Sequence, residues 1–387
     1  MNNGNHHQPL VLNRTVRHRV AFLSGTSASR CFQCAACASI CDLSDGESSF
    51  PRRQIQYAQL GLIDRMKSDP AIWLCHQCND CSVHCPKNAK PGDIMAAMRA
   101  LLISENSVFK AVGRMYERID RWWPVTVLVP VLFWLVFYLI FFGVDGFRTS
   151  PRDFQFETLV PHWMIYIVNI PVFTGALIAL GISGNRAWNA WGATNAGLGM
   201  YISAFAKSLI DIARHQKMTV CNAARQRRTG HFMVMWGVIG ALVTTAFIAV
   251  LLLFSPAKLP LPFLHPLKVV GNIAGILILA GGVLVLLRRW QNSAHMGRTS
   301  AVDYFFILLI FAVAATGMGA QLFRITHQQP VALGIYLVHL GLVLSLFLSL
   351  PFSRFSHMWY RLLAVTRAHL IPPSRITRFN EPVSAID

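Results

Sequence analysis

Acidic side chains are scarce in this chain: 17 Asp and Glu stand against 35 Lys and Arg among 387 residues, a formal net charge of +18. Such an excess of base raises the question of nucleic acid, but no basic stripe runs along a polar segment, so no nucleic-acid partner is expected. The bases lie between long apolar runs, where membrane proteins place them. Also missing are a phosphate-binding glycine loop, a dinucleotide fingerprint and any arrangement that would activate a nucleophile. Covalent chemistry therefore belongs to another polypeptide. The first 24 residues contain His6, His7, Arg14, Arg17 and Arg19 but no continuous apolar core. They read as a mobile or partner-bound tail, and no signal peptide is expected. No alternating strand pattern accompanies the cysteines, which excludes a small β-rich ferredoxin.

What is present is sharply divided. Through Asp120 the chain has 14 basic and 10 acidic residues, and from Arg121 onward 21 and 7. Eight of the nine cysteines fall in the polar part, in two copies of one spacing: Cys31, Cys34, Cys37, Cys41 and Cys75, Cys78, Cys81, Cys85, the last followed by Pro86. Three thiolates at intervals of three, with a fourth four residues later, are the spacing of paired [4Fe–4S] clusters. The fourth thiolate of each run ligates the other cube, giving Cys31, Cys34, Cys37 and Cys85 on one and Cys75, Cys78, Cys81 and Cys41 on the other. Structural zinc is the alternative, but zinc sites use pairs of ligands rather than three plus one twice over. The thiolates call for a reducing compartment, so this part is expected to face the cytoplasm. Between the motifs, Ile55, Ala58, Leu62 and Met66 recur at helical spacing, and Pro91-Gly92-Asp93 opens another helix.

Six apolar segments long enough to span a bilayer follow, near residues 122–143, 162–184, 231–254, 266–287, 302–323 and 332–352. With the cluster domain inside, the inner segments 185–230, 288–301 and 353–387 hold 15 basic residues and the outer ones hold 5. That bias agrees with the redox argument and predicts a multi-pass protein of the cytoplasmic (inner) membrane with both termini inside. Segment 185–230 is too polar to span and reads as interfacial. The domains are thus a tail (1–24), a helical cluster domain (25–120), a membrane domain (121–360) and a cytoplasmic tail (361–387).

Histidines at membrane depth are candidate haem ligands, since b-type haem iron needs an imidazole from each side. His339 and His357 stand 18 residues apart, five turns or about 27 Å on a straight helix, so one helix would offer ligands at two depths. His231, opening the third span, pairs with His357 for an inner haem b. The alternative is that both are interfacial histidines among Arg227, Arg228 and Arg354. For His339 the outer partner is His162 or His265, and Trp163 beside His162 favours the former. His76 and His84, inside the cluster motif, are expected to cover or tune the clusters. Cys221 reads as a bystander thiol.

The stretch Pro51-Arg52-Arg53-Gln54-Ile55 through Trp73-Leu74-Cys75 resembles the helical ferredoxin domain of the heterodisulfide reductase C-type polypeptide and of fumarate reductase iron–sulfur subunits. His339 through Pro351, His357 and Trp359 resembles the last helix of the nitrate reductase gamma family, where both histidines ligate haem b. The fusion of the two is similar to the C-type membrane component of quinone-interacting membrane-bound oxidoreductase (Qmo) complexes. The fold implied is all-α: a helical ferredoxin-like domain with two [4Fe–4S] clusters, then a six-helix cytochrome b bundle. The resemblance also implies one or two haem b, a quinone or quinol as substrate, cytoplasmic flavin-containing iron–sulfur subunits as partners, and adenylyl-sulfate reductase as soluble counterpart. One position departs from the gamma pattern: Ala241 stands where a second histidine of the third helix belongs. Two other readings share these parts. One is a membrane-bound heterodisulfide reductase-type subunit, which needs a cysteine-rich catalytic partner. The other is a redox sensor with neither haem nor quinone.

Overall fold

The computed structural model describes residues 11–26, 28–44, 49–148, 154–194, 196–214, 222–254, 261–291 and 297–371, the side chains of 222–227 and 252–253 apart. Every regular element among them is helical. The cluster domain is built on α1 (Arg14–Ser24), α2 (Arg52–Leu60), α3 (Ile63–Lys67) and α4 (Pro91–Asn106), with single turns between. The helical pattern carried by Ile55, Ala58, Leu62 and Met66 is two helices and not one. Gly61, at φ +69°, ends α2 in the left-handed region that only glycine enters freely, and the chain restarts at Ile63.

The opening tail is a second correction. Asn13 caps α1 through its side chain, and Val16 and Val20 bury themselves against the domain. Arg19 grips Glu105 and Glu117, each at 2.5 Å. Ile55, Ala58, Met66, Ile72, Trp73, Ile94, Met95, Met98 and Leu101 form the core beneath. Residues 1–10 lie outside the described residues.

Six helices are long and apolar enough to cross a membrane. They are α5 (Ile119–Phe142), α6 (His162–Ala190), the apolar part of a helix running from Asn222 to Phe254, α9 (Pro266–Gln291), α10 (Ala301–Ile325) and α11 (Gln329–Ser349). An amphipathic helix, α7 (Leu198–Arg214), precedes the Asn222–Phe254 helix, which is α8. Of the interfacial segment 185–230, the first residues extend α6 and the last belong to α8, so the surface-lying element is α7. Ala204 and Ser208 are its buried positions, while Leu198, Ile202, Phe205 and Leu209 are exposed. Cys221 lies outside the described residues.

In the bundle α8, α9, α10, α11 and α5 pack in succession, with α6 across α11. Outward faces are apolar and exposed, as at Leu128, Leu132, Ile167, Phe247 and Ile276, a surface suited to lipid and not to water.

The sixth span does not continue to His357. It stops at Ser349, and Pro351 fits no helix interior. The chain turns, and α12 (Arg354–Leu370) starts afresh with Ser353 Oγ accepting from the Phe355 amide. His339 and His357 therefore sit on different helices, and the five-turn relation does not apply. α12 packs on α7 and α6 and against the Ala71–Leu74 turn just before Cys75. It runs to Leu370, so residues 361–370 are not tail. Residues 372–387 lie outside the described residues.

Several contacts fix the cluster domain on the bundle. The Arg186 guanidinium donates to the Asn106 and Ser107 carbonyls at 3.2 and 2.8 Å. The Arg298 amide donates to Asp93 at 2.9 Å. Asp303 caps α10 with Ser300 and binds Arg354 of α12 at 2.8 Å and Arg289 of α9 at 3.7 Å. One carboxylate thus ties three helices at the end that bears the cluster domain.

Candidate metal centres

The two cysteine runs fold alike. Gln33 and Ala35 in the first, and Gln77 and Asn79 in the second, all have left-handed φ between 52° and 66°. Four non-glycine residues in that region, each costing on the order of 1 kcal/mol, mark a loop shaped for something other than its own stability. The curl aims amides inward: Gln33 N lies 3.4 Å from Cys31 Sγ, Gln77 N 3.4 Å from Cys75 Sγ, and Ala89 N 3.3 Å from Cys85 Sγ. Amide donors of this kind stabilise thiolate and cluster sulfur.

The runs also interlock. Cys31, Cys34 and Cys37 line one shallow hollow together with Cys85 from the other run, and Arg52 and Lys87 line it too. Around Cys81 gather Cys75, Cys78 and, from the first run, Cys41. A tetrahedral zinc site draws its sulfurs to about 2.3 Å from a single point. Among the described residues no three His, Cys, Asp or Glu side chains converge so closely.

Burial, then the charge of Cys31, pushes the Cys37 thiol up to about 11. Burial also raises Cys31, where Cys85 and Cys34 add to it, and carries Cys81 well above its usual range with help from Cys75 and Cys78. These groups are protonated at neutral pH unless iron displaces the proton.

From this second group the path leads to α12. Trp73, two residues before Cys75, is buried and stacks on Tyr360 at 4.5 Å. Its ring centroid is 6.0 Å from that of His357. His357 Nδ1 is buried without a hydrogen-bond partner. Burial first, then Arg99, Arg361, Arg354 and His231, hold its imidazole well below the usual range. A neutral ring with an unspent lone pair is what an iron ligand requires. His231, exposed on α8, is near enough to add to that shift.

Deeper in the bundle, His339 Nδ1 lies 3.0 Å from the Val313 carbonyl and 3.1 Å from Thr316 Oγ1. Donation to that carbonyl fixes the proton on Nδ1 and leaves Nε2 as a lone pair, the usual arrangement behind a metal-binding histidine. Gly317 makes room: a Cβ there would sit 3.0 Å from the His339 ring. The outer candidates are placed differently. His162 opens α6 with Nδ1 3.4 Å from Glu157 and its ring stacked on Tyr166 at 6.1 Å. His265 Nδ1 is buried and unpartnered. No ring contact joins His162 to His339 among the described residues, and Ala241 packs with Ile278, Ile310 and Ala314.

Two residues of the site carry no signal in the sequence: Arg99 and Arg361. Arg361 stands one turn beyond His357 on α12 and donates to the Trp73, Leu74 and Cys75 carbonyls at 3.2, 3.4 and 3.1 Å. Its other nitrogen meets His76 Nδ1 at 2.8 Å. Arg99 of α4 donates to the Cys75 carbonyl at 3.0 Å and to Gln77 at 2.7 Å. Burial lowers Arg361 to about 10, so it remains a cation at neutral pH. His76 is thus held by Arg361, whereas His84 is exposed with Nδ1 2.9 Å from the Asp80 carbonyl.

Known proteins resemble these parts separately and together. Residues 125–375 match the family described as citrate utilization protein B, and residues 27–89 match the 4Fe-4S dicluster domain. Citrate utilization protein B of Escherichia coli is 26% identical over 316 residues, 74% of this chain and 78% of that protein. A protein of Archaeoglobus profundus that is like the C-type polypeptide of heterodisulfide reductase is 36% identical over 98 residues, 25% of this chain and 52% of its own. The respiratory nitrate reductase 1 gamma chain of Escherichia coli is 29% identical over 115 residues, 23% of this chain and 51% of its own. No solved structure matches.

Proposed function

The chain belongs to the citrate utilization protein B family, and from that premise we propose that it is the membrane-anchored electron-transfer subunit of a quinone-linked oxidoreductase. Its cluster domain is of the heterodisulfide reductase C type and its helical bundle is akin to a nitrate reductase gamma chain. Electrons pass one at a time between a cytoplasmic flavin-containing partner, two [4Fe–4S] clusters, haem b and quinone. Cys31, Cys34, Cys37 and Cys85 hold the first cluster, and Cys75, Cys78, Cys81 and Cys41 the second. His231 and His357 hold the haem nearer the clusters. His339 serves a second haem, with His162 or His265 opposite.

The observation that carries this reading is the short step from the Cys75 loop through Trp73 to His357, 6.0 Å between ring centroids. A cluster peptide so close to an unpartnered, neutral imidazole joins the soluble redox centres to the membrane. The soluble counterpart follows from resemblance alone. Likeness to the quinone-interacting membrane-bound oxidoreductases suggests adenylyl-sulfate reductase. The family match over 125–375 favours instead an enzyme of citrate use. A thiol-disulfide reductase is the reading that the heterodisulfide reductase likeness favours, and it requires a cysteine-rich partner.

Iron, acid-labile sulfide and pyridine-haemochrome assays on the purified chain test the proposal. Two cubes and at least one haem b per chain are expected. Clusters without haem would leave a cluster protein with no route into the lipid and would refute it.

A further inference from the structure

Among the described residues, two arginines converge on one peptide, that of the second cysteine run. The second run carries Arg361 on three successive carbonyls and Arg99 on one of the same three. Around the first, Arg52 and Lys87 line the shallow hollow beside exposed Cys34 and Phe32, with Lys87 over the Phe32 ring at 4.6 Å. We propose that Arg361 sets the reduction potential of the cluster held by Cys75, Cys78, Cys81 and Cys41, and holds its peptide against the haem-bearing helix. The inference rests on the functional reading above.

When a [4Fe–4S] cluster accepts one electron it becomes one unit more negative, and a fixed cation nearby favours that state. Electrons would pass one at a time between the partner's flavin and the haem by way of the two clusters, each donor being oxidised as its acceptor is reduced. Arg361 is placed for this task. Its guanidinium is engaged by the Trp73, Leu74 and Cys75 carbonyls and by His76, none of which carries a neutralising negative charge. Its guanidinium, like that of Arg99, donates directly to the Cys75 carbonyl. Because His357 and Arg361 are one turn apart on a single face of α12, the residue that polarises the cluster and the residue that binds the haem move as one body. The first cluster, its cations lining a shallow hollow, is left at the more negative potential. The second, at the higher potential, is the cluster that faces the membrane.

Arg361 is a positioning residue, and a potential is the readout. Full-length wild type, Arg361→Gln and Arg361→Lys are purified in detergent, and their cluster signals are titrated by electron paramagnetic resonance. In Arg361→Gln one cluster shifts to a more negative midpoint while the other keeps its own, with haem content unchanged. Arg361→Lys, which keeps the charge but loses the fork, shifts the same cluster less. Unchanged midpoints in both variants overturn the proposal. If Arg361→Gln fails to retain iron, Arg361→Lys decides alone, and an unshifted midpoint there is the refuting result. Wild-type protein lacking cluster signals would instead sink the functional reading itself.

Discussion

Trp73 and His357 face each other with ring centroids 6.0 Å apart and planes inclined by 35°. One belongs to the turn that leads into Cys75, the other to a helix that follows the last membrane span. Here the cluster domain meets the helix that carries His357, and substitutions on either side of this contact should act on different cofactors.

Removing either imidazole of the inner pair should remove one haem. His357→Ala and His231→Ala are each expected to lower haem content by one per chain, measured as the pyridine haemochrome. Iron and sulfide should stay at the wild-type level, because the eight cysteines and not these histidines hold the clusters. Unchanged haem in His231→Ala would show that α8 does not supply the ligand.

Gly317 offers a separate handle on the deeper histidine. A β-branched side chain in Gly317→Val must displace the His339 ring, since even a Cβ would stand 3.0 Å from it. Overpacking of this kind costs about 1–3 kcal/mol. Thermal denaturation should show a lower midpoint, and reduced-minus-oxidised spectra should lose the contribution of the second haem while retaining the first.

Crossed ligation reverses the outcome that two substitutions would have if each run held its own cube. Cys85→Ser should abolish the cluster of Cys31, Cys34 and Cys37, and Cys41→Ser that of Cys75, Cys78 and Cys81. Iron should fall to about half in either case. The surviving resonance signal identifies which cube was lost. In Cys85→Ser the signal sensitive to Arg361 should be the one that survives.

The thiols also set a dependence on pH. In the iron-free protein the Cys37 thiol rises from 9.0 to about 11. A group with a raised folded-state value stabilises the fold below its unfolded value and loses that contribution as pH climbs through the folded one. The iron-free protein should therefore lose stability between about pH 9 and pH 11, the interval bounded by those two values. Cluster binding runs the other way, because iron must displace protons, and reconstitution should improve as pH rises from about 7 toward 9. Denaturation of the iron-free protein followed across that range checks the first sign, and iron uptake the second. Equal stability at the two ends of the interval would contradict it.

Much of this is legible in the residues. Apolar runs of more than about eighteen residues give membrane helices directly, and cysteine spacing gives the interlocked donor sets because the chain has few ways to wrap a cube. Four things are hidden. Gly61 looks like part of a helix because apolar periodicity continues past it. The turn at 350–353 is signalled by Pro351, yet the spacing of the two histidines imitates a continuous register across it. The packing of α1 depends on Arg19 meeting two glutamates 86 and 98 residues away, which no local pattern reveals. Arg361 reads as one more positive-inside charge until the fold turns α12 back onto the Cys75 peptide.

The most direct test adds a short-chain quinol to the full-length protein in lipid nanodiscs and follows haem and cluster reduction together. The expected result is growth of b-type haem absorbance accompanied by the resonance of at least the second [4Fe–4S] cluster, both suppressed in His357→Ala. Clusters and haem that are present and reducible by dithionite, yet wholly unresponsive to both ubiquinol and menaquinol analogues, would contradict the assignment of this chain as a link to quinone.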